Sequence, residues 1–155
     1  MARGMLAPPA PEAAGAAPAV APSPNAVPPV RHATALYWAL RLACGFEFLG
    51  HGAFGVITKA AWVPYFGVVG IPERWAYRLM PVVGGFDIFL ALLVLLKPIR
   101  IALIYMAVWG LWTALLRPLS GEPVWELVER APNYLVPLAF LYLRGLPRSF
   151  GELLS

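Results

Sequence analysis

The residues best suited to chemistry in this chain lie within its most apolar stretches. Arg41, Glu47 and His51 follow one another along a segment from about residue 35 to 57, with Cys44 between them. At about 100° per residue, these four side chains fall within an arc of about 120° of one helix. Asp87 stands in the middle of a second apolar segment, directly after Gly84-Gly85-Phe86. Glu126, Glu129, Arg130 and Asn133 recur at i, i+3, i+4 and i+7, the spacing of one helical face. A histidine four residues after a glutamate meets it on the same face. Such a pair is suited to proton exchange with a quinone or a similar head group. If Glu47 and Asp87 approach each other with no cation between them, one of the two carries a proton near neutral pH.

Other chemistries are poorly served. One cysteine, Cys44, excludes a disulfide or a dithiol pair within a single chain, and it reads as a small packing residue. Glu47, His51, Asp87 and Glu129 lack the Glu-x-x-His spacing of a carboxylate-bridged bundle site, so no metal is expected. Haem is not expected either, since His32 lies about 28 Å up-chain from His51 by helical rise. Arg117 and Glu122 read as a solvated turn, and the Trp109/Trp112/Thr113 stripe as packing.

The elements that must carry these residues follow from composition. Of the 155 residues 60% are hydrophobic and only 13% charged, and the mean hydropathy is +0.69. A soluble domain runs near 25% charged, so a single domain lying in the lipid bilayer is predicted, and a nucleic-acid binder with a basic face is excluded. The net charge of +4 is the ordinary excess of basic loops. Residues 1–32 are of a different composition, with eight of the 17 prolines. They read as a disordered Pro/Ala-rich tail and linker without a cleavable signal. Residues 33–147 form the predicted membrane domain, and 148–155 a short C-terminal tail.

Four segments approach the roughly 20 residues a spanning helix needs: about 35–57, 75–96, 101–116 and 124–143. Lys97-Pro98 and the turn from Pro118 to Pro123 separate the later ones. The connection 58–74 reads as interfacial or re-entrant. The fold class expected is therefore all-α, a four-transmembrane-helix up-down bundle. Arg3, Arg31, Lys97, Arg100, Arg144 and Arg148 lie on the side of the termini, against Lys59, Arg74, Arg78 and Arg117 opposite. That asymmetry places both termini in the cytoplasm. Trp38, Trp62, Trp75, Trp112 and Trp125 lie near helix ends and read as interfacial anchors.

A charge at a helix centre costs at least about 2.5–3.5 kcal/mol on insertion scales, so these groups should face the bundle and find partners. By helical rise, Glu47, Asp87 and Asn133 come close to the midplane. His51, Glu129 and Arg130 lie roughly 5–8 Å toward the non-cytoplasmic side. Two arrangements fit this layout: an internally neutralised network that sets helix register, and a polar pocket open to that side. Its candidate residues are Arg41, Glu47, His51, Asp87, Glu129, Arg130 and Asn133.

The order of motifs resembles the DoxX/DoxX-like family over about residues 35–146. The run Leu40-Arg41-Leu42-Ala43-Cys44-Gly45-Phe46-Glu47-Phe48-Leu49-Gly50-His51-Gly52, with Lys59 after it, looks like that family's first helix. Val83-Gly84-Gly85-Phe86-Asp87-Ile88 is similar to its Gly-Gly-acid segment, with Asp where Glu is common. Trp125-Glu126-Leu127-Val128-Glu129-Arg130-Ala131-Pro132-Asn133, with Pro137-Leu138-Ala139, resembles the fourth helix of one branch. The resemblance implies a four-helix bundle with cytoplasmic termini in a bacterial inner membrane. It also implies links to membrane redox complexes, because DoxX-related proteins include quinone-reducing thiosulfate oxidoreductase subunits. Vitamin K epoxide reductase and a receptor-assembly chaperone share related four-helix folds, but the reductase needs a Cys-x-x-Cys pair that this chain lacks.

Three functions are therefore expected in turn: an accessory subunit of a membrane redox-linked complex, a quinone-interacting oxidoreductase component, and a small-molecule or proton carrier. Four short helices leave little room for the alternating access of a carrier. If His51 serves a quinone head group, His51→Ala weakens quinone binding, and equal affinity in the two proteins overturns that role.

Overall fold

The computed structural model describes residues 32–155. The Pro/Ala-rich tail expected over residues 1–32 lies outside the described residues except for His32. The described chain is all-helical, with no strand. Its elements are α1 (Ala33–Val56), a 3-10 turn (Ala60–Trp62), α2 (Val63–Val68), α3 (Glu73–Leu96), α4 (Arg100–Leu119), α5 (Trp125–Glu129), α6 (Ala131–Arg144) and α7 (Phe150–Leu153).

The helix boundaries have local causes. Helix α1 ends as the chain reaches Thr58, which adopts a positive φ of 54°. Helix α3 starts immediately after Pro72, with Glu73 in its first turn where a carboxylate suits the helix dipole. It stops at Lys97, which is extended at φ −147° and ψ 91°, because the following Pro98 disfavours helical geometry in its predecessor. The connection 58–74 is folded, and α2 packs against both α3 and α4. Helix α1 and the segment 60–68 meet at a bend of 98°.

The expected unbroken helix over 124–143 is corrected by a break at Arg130, between α5 and α6. Pro132 is the reason. It has no N–H to donate to the Val128 carbonyl, and its ring would crowd that carbonyl. Glu126, Glu129, Arg130 and Asn133 consequently do not form one continuous helical face.

Helices α3 and α4 are each long and apolar enough to cross a membrane, and α1 joined to its bent continuation meets the same criterion as a third. Their outward faces are consistent with that. Phe46, Val82, Phe89 and Val108 are all more than half exposed, a quantity of uncovered apolar surface unusual in a water-soluble monomer.

Packing is closest between α1 and α3. A Cβ on Gly84 would come within 2.5 Å of the Gly52 carbonyl oxygen and 2.6 Å of the Val56 nitrogen. The two backbones therefore touch, as small residues permit between membrane helices. Helices α4 and α6 meet in the same way, where a Cβ on Gly110 would collide with the Asn133 carbonyl oxygen. A compact core of Cys44, Phe48, Leu90, Val94, Leu103, Met106 and Phe140 fills the half of the molecule nearest Arg144. The opposite half, beneath α2, is not filled in this way.

Gly84→Ala should force α1 and α3 apart and cost about 1–3 kcal/mol, the range for overpacking a tight contact. Gly85→Ala, whose new Cβ meets nothing within 4 Å, serves as the control. A thermal melt in detergent checks this, with Gly84→Ala melting lower and Gly85→Ala unchanged or slightly higher, since alanine favours a helix interior.

Candidate functional site

Where the core ends, a cavity of about 280 Å³ opens between α1, α3, α4 and the start of α6, with α2 over it. Glu47 and His51 reach it from α1, Asp87 from α3, Trp109 and Arg117 from α4, and Arg130 and Asn133 from the α5–α6 break. Trp62, Tyr65 and Phe66 close it from the α1–α3 connection. Five of the seven residues singled out in the sequence thus come together from distant parts of the chain.

The remaining two lie elsewhere. Arg41 serves the far end of α3, donating from Nε to the Val94 carbonyl at 3.1 Å and from Nη2 to Leu95 and Leu96 at 2.8 and 2.9 Å. These carbonyls end the helix without intrahelical partners, and a cation there also suits the dipole. Its guanidinium lies over the Trp38 ring, 4.7 Å from the centroid. Glu129 is exposed, on the outer side of the break. Cys44 is buried in the core with no exposed surface.

Glu47 and His51 form the expected pair. His51 Nδ1 lies 3.1 Å from Glu47 Oε1 and 3.1 Å from the Glu47 carbonyl oxygen. Two acceptors at that nitrogen call for a proton on it, which makes Nε2 the acceptor of a neutral ring. The imidazole is stacked on Trp62, with centroids 5.8 Å apart and planes 16° from parallel. His51 is an ionisable neighbour of both Glu47 and Asp87, and Arg130 is a second one of Glu47.

Asp87 is 6% exposed, and it is buried among apolar side chains. Its Oδ1 has no hydrogen-bond partner among the described residues. The Trp109 side chain, the His51 ring and the Tyr105 hydroxyl are polar groups near it. Arg130 Nε is likewise buried and without a partner among the described residues. A buried polar atom without a partner costs about 1–3 kcal/mol.

The turn side of the cavity is held by charge. Arg117 Nη1 lies 3.1 Å from both Glu122 Oε2 and Glu126 Oε2. The Tyr65 hydroxyl donates to Glu122 Oε1 at 2.5 Å, and the Arg117 guanidinium lies 5.3 Å from the Tyr65 ring centroid. The expected solvated turn is therefore corrected: the Arg117 side chain is only 11% exposed and ties α2 to α4 and α5. Trp62, read as an interfacial anchor, and Trp109, read as packing, both line the cavity. No position in the sequence distinguishes them from the other tryptophans, because their role depends on which neighbours surround them.

Among the described residues, no group of three or more His, Cys, Asp or Glu side chains is arranged to hold a metal ion. The chain matches no protein-family model, no curated protein and no solved structure.

Tyr65 belongs to the α1–α3 connection, outside the long apolar helices. Burial, and then its hydrogen bond to Glu122, push its phenol up to about 12. The neutral phenol therefore persists as pH rises past 10, where an ordinary tyrosine ionises. Glu122→Gln removes the anionic acceptor and should lower this value without abolishing the effect of burial. Tyrosinate absorbance near 295 nm, measured with and without Tyr65→Phe to identify the signal, checks the direction.

Proposed function

We propose that this chain is a DoxX-like, four-helix integral membrane protein that acts as a subunit or accessory protein of a membrane redox-linked complex. In this reading α1, α3, α4 and the broken α5–α6 pair are the four spans. The lipid bilayer is their solvent and other membrane subunits are their partners. Both termini lie on the cytoplasmic side of a bacterial inner membrane, in keeping with the basic residues at that end. The cavity is then a polar intramembrane pocket that receives a small head group.

One observation carries this choice over a purely structural charge network. Asp87 lines the cavity at 6% exposure with an oxygen that no described residue satisfies. A network that only sets helix register would pair its carboxylates directly. An intramembrane carboxylate facing an open space is instead the usual mark of a ligand site or pathway.

A second reading, a quinone-interacting oxidoreductase component, is favoured by the held imidazole. His51 is fixed by Glu47 and stacked on Trp62, so its Nε2 would accept a proton while the aromatic wall supports a ring. No bound cofactor is required by either reading, and a quinone is the candidate ligand of the second. A carrier is the least supported of the three, since four short helices leave little room for alternating access.

Purification in mild detergent followed by mass spectrometry of bound small molecules and proteins tests the proposal. A stoichiometric membrane-protein partner, with a quinone or similar amphiphile retained in the wild type and depleted in His51→Ala, is the expected result. A monomer carrying neither partner nor ligand would overturn it.

A further inference from the structure

Positive charge gathers at the end of the molecule away from the cavity. Arg41 donates to the Leu96 carbonyl and Arg100 to that of Arg144, so α1, α3, α4 and α6 bring these groups to one end. Arg41 and Arg100 are also ionisable neighbours of Arg144. Lys97 follows α3 and Arg148 follows α6 at the same end. Glu152 of α7 is the acidic residue that joins them, and its Oε2 accepts from the Arg148 backbone N–H at 2.8 Å. Among the described residues none of these five cations takes part in an ion pair; the ion pairs belong to Glu47, His51, Arg117, Glu122 and Glu126.

The segment beyond α6 is folded back onto this end by one guanidinium. Arg100 donates from Nη2 to the Arg144 carbonyl and from Nε to the Gly145 carbonyl, both at 2.8 Å. Its Nη1 donates to the main-chain oxygens of Glu152 and Ser155 at 3.2 Å. Helix α7 is therefore held level with the first residue of α4. In a spanning α4 that level is the boundary between hydrocarbon and head groups. Leu146 and Arg148 share a shallow groove with Arg100. Phe150 is 79% exposed, Leu146 and Leu154 are at least half exposed, and the Lys97 and Arg148 side chains are exposed as well. Apolar side chains beside cations at this depth suit a lipid surface, where the former enter the acyl boundary and the latter remain at the phosphates. A protein partner would have to supply matching carboxylates and an apolar face together. A leaflet with anionic lipid presents both.

We propose that residues 145–155 form an interfacial anchor that seats Phe150 and Leu154 in a leaflet containing anionic phospholipid, with Lys97 and Arg148 on its phosphates. The proposal rests on the reading of α4 as a membrane span, and it adds the class of lipid recognised at that end.

A fluorophore sensitive to polarity, attached through Ser149→Cys in the full chain, reports on this segment. Ser149 is exposed and makes no side-chain cap hydrogen bond, and the native Cys44 is buried away from reagent. The protein is placed in nanodiscs of phosphatidylcholine alone, or mixed with phosphatidylglycerol. Quenching by a spin label at shallow depth gives the ratio of docked to free segment. That ratio should be higher in the anionic discs. Lys97→Gln and Arg148→Gln should each lower it about fivefold there, the equivalent of about 1 kcal/mol per cation, and leave it unchanged in the neutral discs. Phe150→Ser should lower it in both. Equal quenching of the unsubstituted anchor in the two discs, or none in either, overturns the proposal and leaves the membrane reading standing. Failure of the chain to enter discs of either composition defeats the membrane reading itself.

Discussion

The contact on which the rest of the structure depends is the touch of two backbones, α1 at Gly52 and Gly55 against α3 at Gly84. Side chains normally hold helix axes 8–10 Å apart; removing them at the crossing lets the main chains meet and fixes the register of one helix on the other. His51 precedes Gly52 in the chain, and Asp87 lies three residues beyond Gly84, on the same face of α3. The crossing therefore sets where the imidazole and the carboxylate stand. Gly110 against the Asn133 carbonyl performs the same service for the second pair, α4 and α6. Trp109 and Asn133 are placed beside that contact.

Between the two crossings the helices cannot also close on each other, and the cavity is what remains. Its polar atoms are satisfied unequally. Glu47 has His51, and Arg117 has Glu122 and Glu126, while Asp87 Oδ1 and Arg130 Nε have no protein partner among the described residues. Arg41 is satisfied by the terminal carbonyls of α3. Charges in apolar segments thus divide into those that complete a helix and those that furnish a site. The difference lies in whether a complementary protein group is within reach, and that is a matter of geometry.

The same division explains how legible the molecule was. Segment positions, the dominance of helix and the Glu47–His51 pair were readable, because periodicity and i,i+4 spacing act within one element. The break at Arg130 was also written in the sequence, through Pro132, but apolarity on either side outweighed it in a segment-length reading. Glu129 shared the residue type and depth of the cavity groups and Arg41 their face of the first helix, and nothing local set them apart. Trp62, Tyr65 and Arg117 were assigned to interface and solvent, because the folding of 58–74 back over α3 and α4 depends on tertiary contact.

The chain alone therefore dictated that its helices would be apolar, that prolines would punctuate them, and that a few ionisable groups would have to be compensated. Each of these follows from covalent geometry and from the cost of placing charge in an apolar medium, which act residue by residue. Which ionisable group found a protein partner, and which was left facing an open space, was decided only when glycine contacts brought four distant segments together. Hydrogen-bond satisfaction is a property of neighbours in space, and those neighbours here are separated by as many as 86 positions, from Glu47 to Asn133.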